Sequence, residues 1–269
     1  MAVQNVSWEE AHHCGIALID VEKKILDWEE NPVHPKNTLA SMGIYLFRFA
    51  FLERILAERS GEDFGYHVLQ DAVQRHRVFA YIFDGYWADV GTLKNYWKAN
   101  MDIVKSKRGL RAWNRKIETD CGNDRQYGPS KYNNRFVKIE NSLIAKGCRI
   151  DGSVVRSVLF PGVHVAQGAR VIDSVVMHDS VIDNDARVYR AIIDKRAYIG
   201  TGSSVGIGHC VRPNIRYPKD LLSDLTVIGE DTIVPAYSHL STNSIISDSI
   251  SRDQFDSRTC ETAALTKNI

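Results

Sequence analysis

Asp89 is the one carboxylate in residues 85–92, GYWADVGT, and it follows the apolar run 78–83. The segment is either a plain strand-to-helix turn or a turn whose carboxylate does chemistry. Gly85 and Gly91 permit unusual backbone angles, and Thr92 suits the N-cap of the helix expected at 92–105. The local sequence alone favours the plain turn, so the rest of the chain must decide.

The bulk composition excludes several classes of protein. The 269 residues carry a net charge of +1, and the lysines and arginines are dispersed. The sequence therefore shows no concentration of positive charge that would attract nucleic acid or an anionic membrane. No apolar stretch could span a bilayer, and the N-terminus has no signal-peptide core. Cysteines 14, 121, 148, 210 and 260 form no C-x-x-C pair, which argues against a metal site or a disulfide framework and favours the cytoplasm.

The first hundred residues alternate between strand and helix patterns. A hairpin is predicted from 15–20 and 24–28, a buried strand at 39–47, another strand at 78–83, and helices at 51–59, 67–76 and 92–105. This mixture predicts part of an α/β domain over residues 1–106. The segment contains no Gly-rich phosphate loop, and its sheet would lack neighbouring strands. Residues 107–136 are polar and irregular, which predicts a linker.

The second half has a different period. Aliphatic residues recur in steps of five or six, so that three steps make seventeen residues, or eighteen in the last case. They are Leu159, Val165, Val171, Val176, Ile182, Val188, Ile193, Ile199, Val205 and Val211. Glycines 162, 168, 200 and 206 fall near the expected corners. This pattern predicts a hexapeptide-repeat β-helix over 137–250, whose triangular coils bury the repeated aliphatics; a β-sandwich would alternate with a period of two.

The period is interrupted after Val211 by RPNIRYPKDLLSD and resumes at residue 225. We expect an insertion followed by one more partial coil. Residues 251–269 are predicted to form a loosely ordered polar tail.

Several short segments of the chain resemble the sequence of glucose-1-phosphate adenylyltransferase. They are WEENP at 28–32, ASMGIYLF at 40–47, DFG at 63–65 and AYIFDGYWADVGTLKNYWKANMDI at 80–103. The resemblance implies that the β-helix is left-handed, which periodicity cannot show. It also implies synthesis of ADP-glucose and pyrophosphate from ATP and glucose 1-phosphate for glycogen or starch, with Mg²⁺, in the cytoplasm, usually in an oligomer. The chain resembles the sugar-phosphate side of the domain plus the β-helix, and we expect the ATP-binding half to be missing.

The resemblance also assigns roles to residues. It implies that Asp89 is a carboxylate ligand of Mg²⁺, which suits an ion that prefers hard oxygen ligands. It places the following residues around glucose 1-phosphate: Glu30, Asn31, Ser41, Tyr45, Asp63, Phe64 and Trp87. For Tyr45, Phe64 and Trp87, core packing is an equal alternative, and Asp63 could also cap the helix that follows.

The chain departs from the family pattern at the phosphate. The family has Glu-Lys-Pro at 30–32, and its lysine neutralises the sugar phosphate, whereas this chain has Asn31, which carries no charge. Tyr66-His67 follows DFG in place of Lys-Asp, and Cys14 replaces an aromatic residue.

Three functions remain open. The chain is a truncated glucose-1-phosphate adenylyltransferase that is inactive alone, or a non-catalytic regulatory or assembly subunit that joins partners through the β-helix. A hexapeptide acyltransferase would need a base histidine, for which only His164, His178 and His209 stand near turns.

Overall fold

The computed structural model describes residues 1–58, 64–106, 127–132, 137–208, 214, 224–247 and 264–265. The chain divides into two compact units, Met1–Asp89 and Val90–Ile269. Asp63, His209 and Val211 lie outside the described residues. No helix within the described ranges is both long and apolar enough to cross a bilayer.

The first unit is a mixed five-stranded sheet with the order β3-β2-β4-β1-β5. Its strands are β1 (Ala2–Asn5), β2 (Gly15–Ile19), β3 (Ile25–Glu30), β4 (Leu39–Ser41) and β5 (Tyr81–Ile82). Its helices are α1 (Trp8–Ala11), α2 (Phe49–Glu58), a π-helical segment (Phe64–Leu69) and α3 (Gln70–Arg75). The predicted hairpin is confirmed as β2 and β3, which pair antiparallel with Gly15 opposite Glu30.

Three predicted elements of this unit differ from the structure. The strand expected at 78–83 is only the exposed two-residue β5. The strand expected over 39–47 ends at Ser41, because Gly43 takes a left-handed φ of 71° and turns the chain. The helix expected at 67–76 is instead the π-helical segment followed by α3. The main core of the unit lies on one face of the sheet and includes Val3, Ala17 and Trp28.

The second unit is a solenoid of three parallel sheets, which confirms the hexapeptide-repeat fold; its handedness stays a prediction. One sheet contains β7 (Ile139–Glu140), β10 (Ser153–Val155), β13 (Arg170–Ile172), β16 (Arg187–Tyr189), β19 (Ser204–Val205) and β22 (His239–Leu240). The second contains β8 (Leu143–Ile144), β11 (Val158–Leu159), β14 (Val175–Val176), β17 (Ala191–Ile193), β20 (Thr226–Ile228), β23 (Ile245–Ile246) and β24 (Ala264–Leu265). The third contains β6 (Lys131–Tyr132), β9 (Arg149–Ile150), β12 (His164–Val165), β15 (Val181–Ile182), β18 (Tyr198–Ile199) and β21 (Ile233–Val234).

The repeated aliphatics form the core of the solenoid. Those from Leu159 to Val205 are all almost completely buried in one continuous cluster. The corners of the coils repeat with the same period. Residues with a left-handed backbone conformation (positive φ) occupy equivalent corners of successive coils, as at Gly162, Asp179 and Arg196. Across the predicted insertion, β20 pairs directly with β17, so the coil resumes in register.

One long helix lies at the start of the second unit. Helix α4 (Leu93–Lys105) begins at the predicted N-cap, where the Thr92 hydroxyl accepts from the Asn95 amide at 3.1 Å. Its Met101 and Val104 pack on the second solenoid sheet, so this helix belongs to the second compact unit. Strand β6 adds a rung within the predicted linker, and β24 adds one within the predicted tail.

Candidate functional site

Glu30 and Ser41 face the same side of the first sheet, at the same end of the strands β3, β2 and β4. Glu30 is opposite Gly15, and one residue further along, Ile16 is opposite Ala40, so continuing the register places Gly15 beside Ser41. Since neighbouring strands lie about 4.8 Å apart, the two backbones stand about 10 Å apart with glycine between them.

Gly15 gives Glu30 room to lean across this row. A Cβ built on Gly15 would lie 2.7 Å from a carboxylate oxygen of Glu30 and would also collide with the buried ring of Trp28. Any side chain at position 15 would therefore collide first with the Trp28 ring and would also displace the carboxylate. The sequence pattern gave no sign of this role, because it depends on the pairing of β2 with β3.

Ser41 lies beside an aromatic cluster. Its hydroxyl is 3.0 Å from the Tyr45 hydroxyl and accepts a hydrogen bond from the Gly43 amide at 3.2 Å. The Tyr45 and Phe64 ring centroids are 5.5 Å apart, and Phe47 meets Phe64 edge-on at 5.9 Å. Tyr45 is half-buried and Phe64 is 36% exposed, so these rings pack on one another and still present surface at the same end of the strands.

Asn31 stands on an exposed bend that follows β3. Its φ is +45°, in the left-handed region where asparagine is enriched. Its backbone amide donates a hydrogen bond to the carbonyl of Cys14 at 3.1 Å, which ties the bend to the residue before β2. The cation nearest in sequence, Lys36, forms ion pairs with Glu29 and Asp27, which alternate to the face opposite Glu30.

Asp89 acts electrostatically on the thiol of Cys14, the residue before Gly15. Burial, followed by the negative charges of Asp89, Glu10 and Glu30, raises the pKa of the Cys14 thiol to about 11. Asp89 and Glu30 are therefore close enough to the same thiol to act on it electrostatically. Asp89 and Trp87 are both half-buried.

The described residues contain no group of three or more His, Cys, Asp and Glu side chains arranged to hold a metal ion. A single carboxylate still fits Mg²⁺, because this ion keeps several waters and often takes only one or two carboxylates plus phosphate oxygens. A zinc-like cage would not fit.

The acyltransferase alternative can be checked at two of its three histidines. His164 Nε2 lies 3.5 Å from a carboxylate oxygen of Asp151, and His178 packs against the Phe160 ring at 5.1 Å. Both contacts lie within the solenoid, and they give these rings structural partners.

Comparison with known proteins bears on both units. Residues 1–106 match the family model described as nucleotidyl transferase, and residues 129–211 match GlmU-like C-terminal hexapeptide. The chain is 38% identical to glucose-1-phosphate adenylyltransferase of Acetivibrio thermocellus, over 98% of this chain and 62% of that protein. Proteins of the same name from Fervidobacterium nodosum and Bacillus cereus are 34% and 39% identical, over 91% and 76% of this chain and 60% and 56% of theirs.

These matches confirm the resemblance that was inferred from the short sequence segments. The homologues are glucose-1-phosphate adenylyltransferases, and a nucleotidyl transferase domain is present at 1–106. The chain spans about 60% of the length of the curated relatives it matches.

Proposed function

We propose that this chain supplies the sugar-phosphate side of a glucose-1-phosphate adenylyltransferase. The observation that carries the proposal is the row of Glu30, Gly15 and Ser41 across the ends of three neighbouring strands, within a region matched to nucleotidyl transferases. ATP would be bound by a segment outside these 269 residues. The cytoplasm is the proposed location, since the cysteines show no pairing pattern.

Each residue of the row would have a distinct task. The Glu30 carboxylate can only accept hydrogen bonds, so it would hold sugar hydroxyls, while the Ser41 hydroxyl can donate to a phosphate oxygen. Tyr45, Phe64 and Trp87 would exclude water around the sugar. Asn31 would donate a neutral hydrogen bond to the phosphate.

In the reaction, a phosphate oxygen of glucose 1-phosphate would form a bond to the α-phosphorus of ATP while the bond to pyrophosphate breaks. The chain's own contribution is alignment of the attacking phosphate, because phosphoryl transfer depends mainly on positioning and charge stabilisation. Asp89 would hold Mg²⁺, which supplies neutralisation of phosphate charge.

Two adjacent glutamates of β3 give a direct test. Glu30 faces Gly15, whereas Glu29 faces the opposite side and pairs with Lys36. Glucose 1-phosphate is titrated into the isotope-labelled chain and binding is followed by NMR. Glu30→Gln should weaken binding about tenfold, since a charge-assisted hydrogen bond becomes a neutral one. Glu29→Gln should change it less than twofold; equal effects of both substitutions would contradict the site.

An activity assay addresses the missing nucleotide side. With ATP, glucose 1-phosphate and Mg²⁺, we expect no detectable pyrophosphate release by this chain alone. Turnover proportional to the amount of protein would show that these 269 residues form a complete active site.

A second candidate is a non-catalytic regulatory or assembly subunit that joins homologous or identical chains through the β-helix. The neutral Asn31 favours it, because the bend presents no lysine to the phosphate. In that case, neither Glu30→Gln nor Glu29→Gln would alter ligand binding, while co-expressed full-length relatives would co-purify with this chain.

A further inference from the structure

The bend at residues 30–32 is held by two side chains from distant parts of the first unit. The Tyr66 hydroxyl donates to the carbonyl of Glu30 at 3.3 Å, and the His12 ring nitrogen Nδ1 lies 3.2 Å from the carbonyl of Pro32. The backbone amide of Asn31 also donates to Cys14, so every residue of the bend makes at least one hydrogen bond that holds it in place. Two of these anchors come from the turn at residues 12–14 and the third comes from the π-helical segment.

Each anchor is supported by the element that carries it. Tyr66 belongs to the π-helical segment, whose Phe64 also meets Tyr45. This segment therefore contacts both the Glu30 end and the Ser41 end of the row. π-Helical turns are rare, and they occur frequently at functional sites.

His12 follows α1, which begins with a capping box formed by Ser7 and Glu10. Because a carbonyl oxygen only accepts hydrogen bonds, the contact with Pro32 places a proton on Nδ1 of His12. The His12 ring therefore donates a hydrogen bond to Pro32 from the C-terminal end of α1.

We propose that Tyr66 and His12 are positioning residues that preorganise the 30–32 bend for glucose 1-phosphate. The inference rests on the proposed function. A bend that is already ordered loses less conformational freedom when ligand binds, which strengthens binding without a new contact to the ligand. This matters here because Asn31 contributes through its position and not through charge.

The test uses the full chain and NMR titration with glucose 1-phosphate. Tyr66→Phe removes only the hydroxyl, and His12→Ala removes the donor. Each should raise the dissociation constant about three- to tenfold. His12→Asn, whose amide can donate from nearly the same place as Nδ1, should restore most of the lost affinity. Matched controls are Tyr81→Phe on exposed β5 and His13→Ala beside His12.

A second measurement separates positioning from general destabilisation. Amide hydrogen exchange at Asn31 should become faster in Tyr66→Phe and His12→Ala, while the amides of β15 in the other unit keep the exchange rates of the parent.

The outcomes are distinct. Parent binding that is unchanged by Tyr66→Phe and His12→Ala, or weakened equally by the controls, overturns the positioning role and leaves the proposed function intact. Absence of any glucose 1-phosphate binding by the parent overturns both.

Discussion

Ile182 is the position where the repeat assignment can be tested most sharply. It is fully buried in the solenoid, in register with Val165 on one neighbouring coil and Ile199 on the other. The adjacent residue of β15, Val181, points outward and is half-exposed. One substitution at two consecutive positions therefore compares the inside and the outside of the same strand.

The expected cost of Ile182→Asp has two parts. Truncating a buried isoleucine to alanine costs about 2–5 kcal/mol. Burying an unpaired carboxylate among aliphatic side chains adds several kcal/mol more. Because domains are stable by only about 5–15 kcal/mol, the solenoid of this variant should be largely unfolded at 25 °C. Ile182→Ala separates the cavity from the charge and should be intermediate.

Urea unfolding followed by circular dichroism measures the effect. With a dependence of about 1–3 kcal/mol per molar urea, Ile182→Ala should lower the midpoint by roughly 1–3 M. Val181→Asp should stay within about 0.5 kcal/mol of the parent, as exposed substitutions usually do. If Ile182→Asp and Val181→Asp unfolded alike, the inward assignment of the aliphatic repeat would be refuted.

Three further predictions concern the first unit. Native Cys14 should react with iodoacetamide much more slowly at pH 8 than in the unfolded chain, and its rate should rise only as pH approaches about 11, measured by mass spectrometry; equal rates would contradict its burial. Rebuilt with an ATP-binding half, Asp89→Asn should lower kcat more than it raises KM, because a metal ligand acts on the transition state. In the same protein, Asn31→Lys should lower KM for glucose 1-phosphate about tenfold and leave KM for ATP nearly unchanged; steady-state kinetics decide both.

The solenoid could be predicted from the sequence because its information is local and repeated. Each coil requires an inward aliphatic at the same interval, so ten positions report the same period independently. The rungs at β6 and β24 were not predicted, since a single two-residue strand in a polar segment carries no period of its own.

The candidate site was only partly predictable. Residue types and short segments indicated Glu30 and Ser41, but their alignment depends on pairing among β3, β2 and β4, which no local pattern specifies. The roles of Gly15 and Tyr66 were missed for the same reason, since each acts on Glu30 from another strand or segment.

Asn31 shows how a backbone can change the interpretation of a substitution. By comparison with the family pattern, Asn31 replaces a lysine that would neutralise the sugar phosphate. Its left-handed φ of +45° gives a separate reason for asparagine, because this residue adopts that region more readily than lysine. Lys23 occupies the same region at φ +66° in this unit, so a lysine at position 31 is sterically possible. The gain in charge from Asn31→Lys should therefore exceed the backbone cost, and an unchanged KM for glucose 1-phosphate would mean that the bend's geometry, rather than phosphate recognition, selects asparagine.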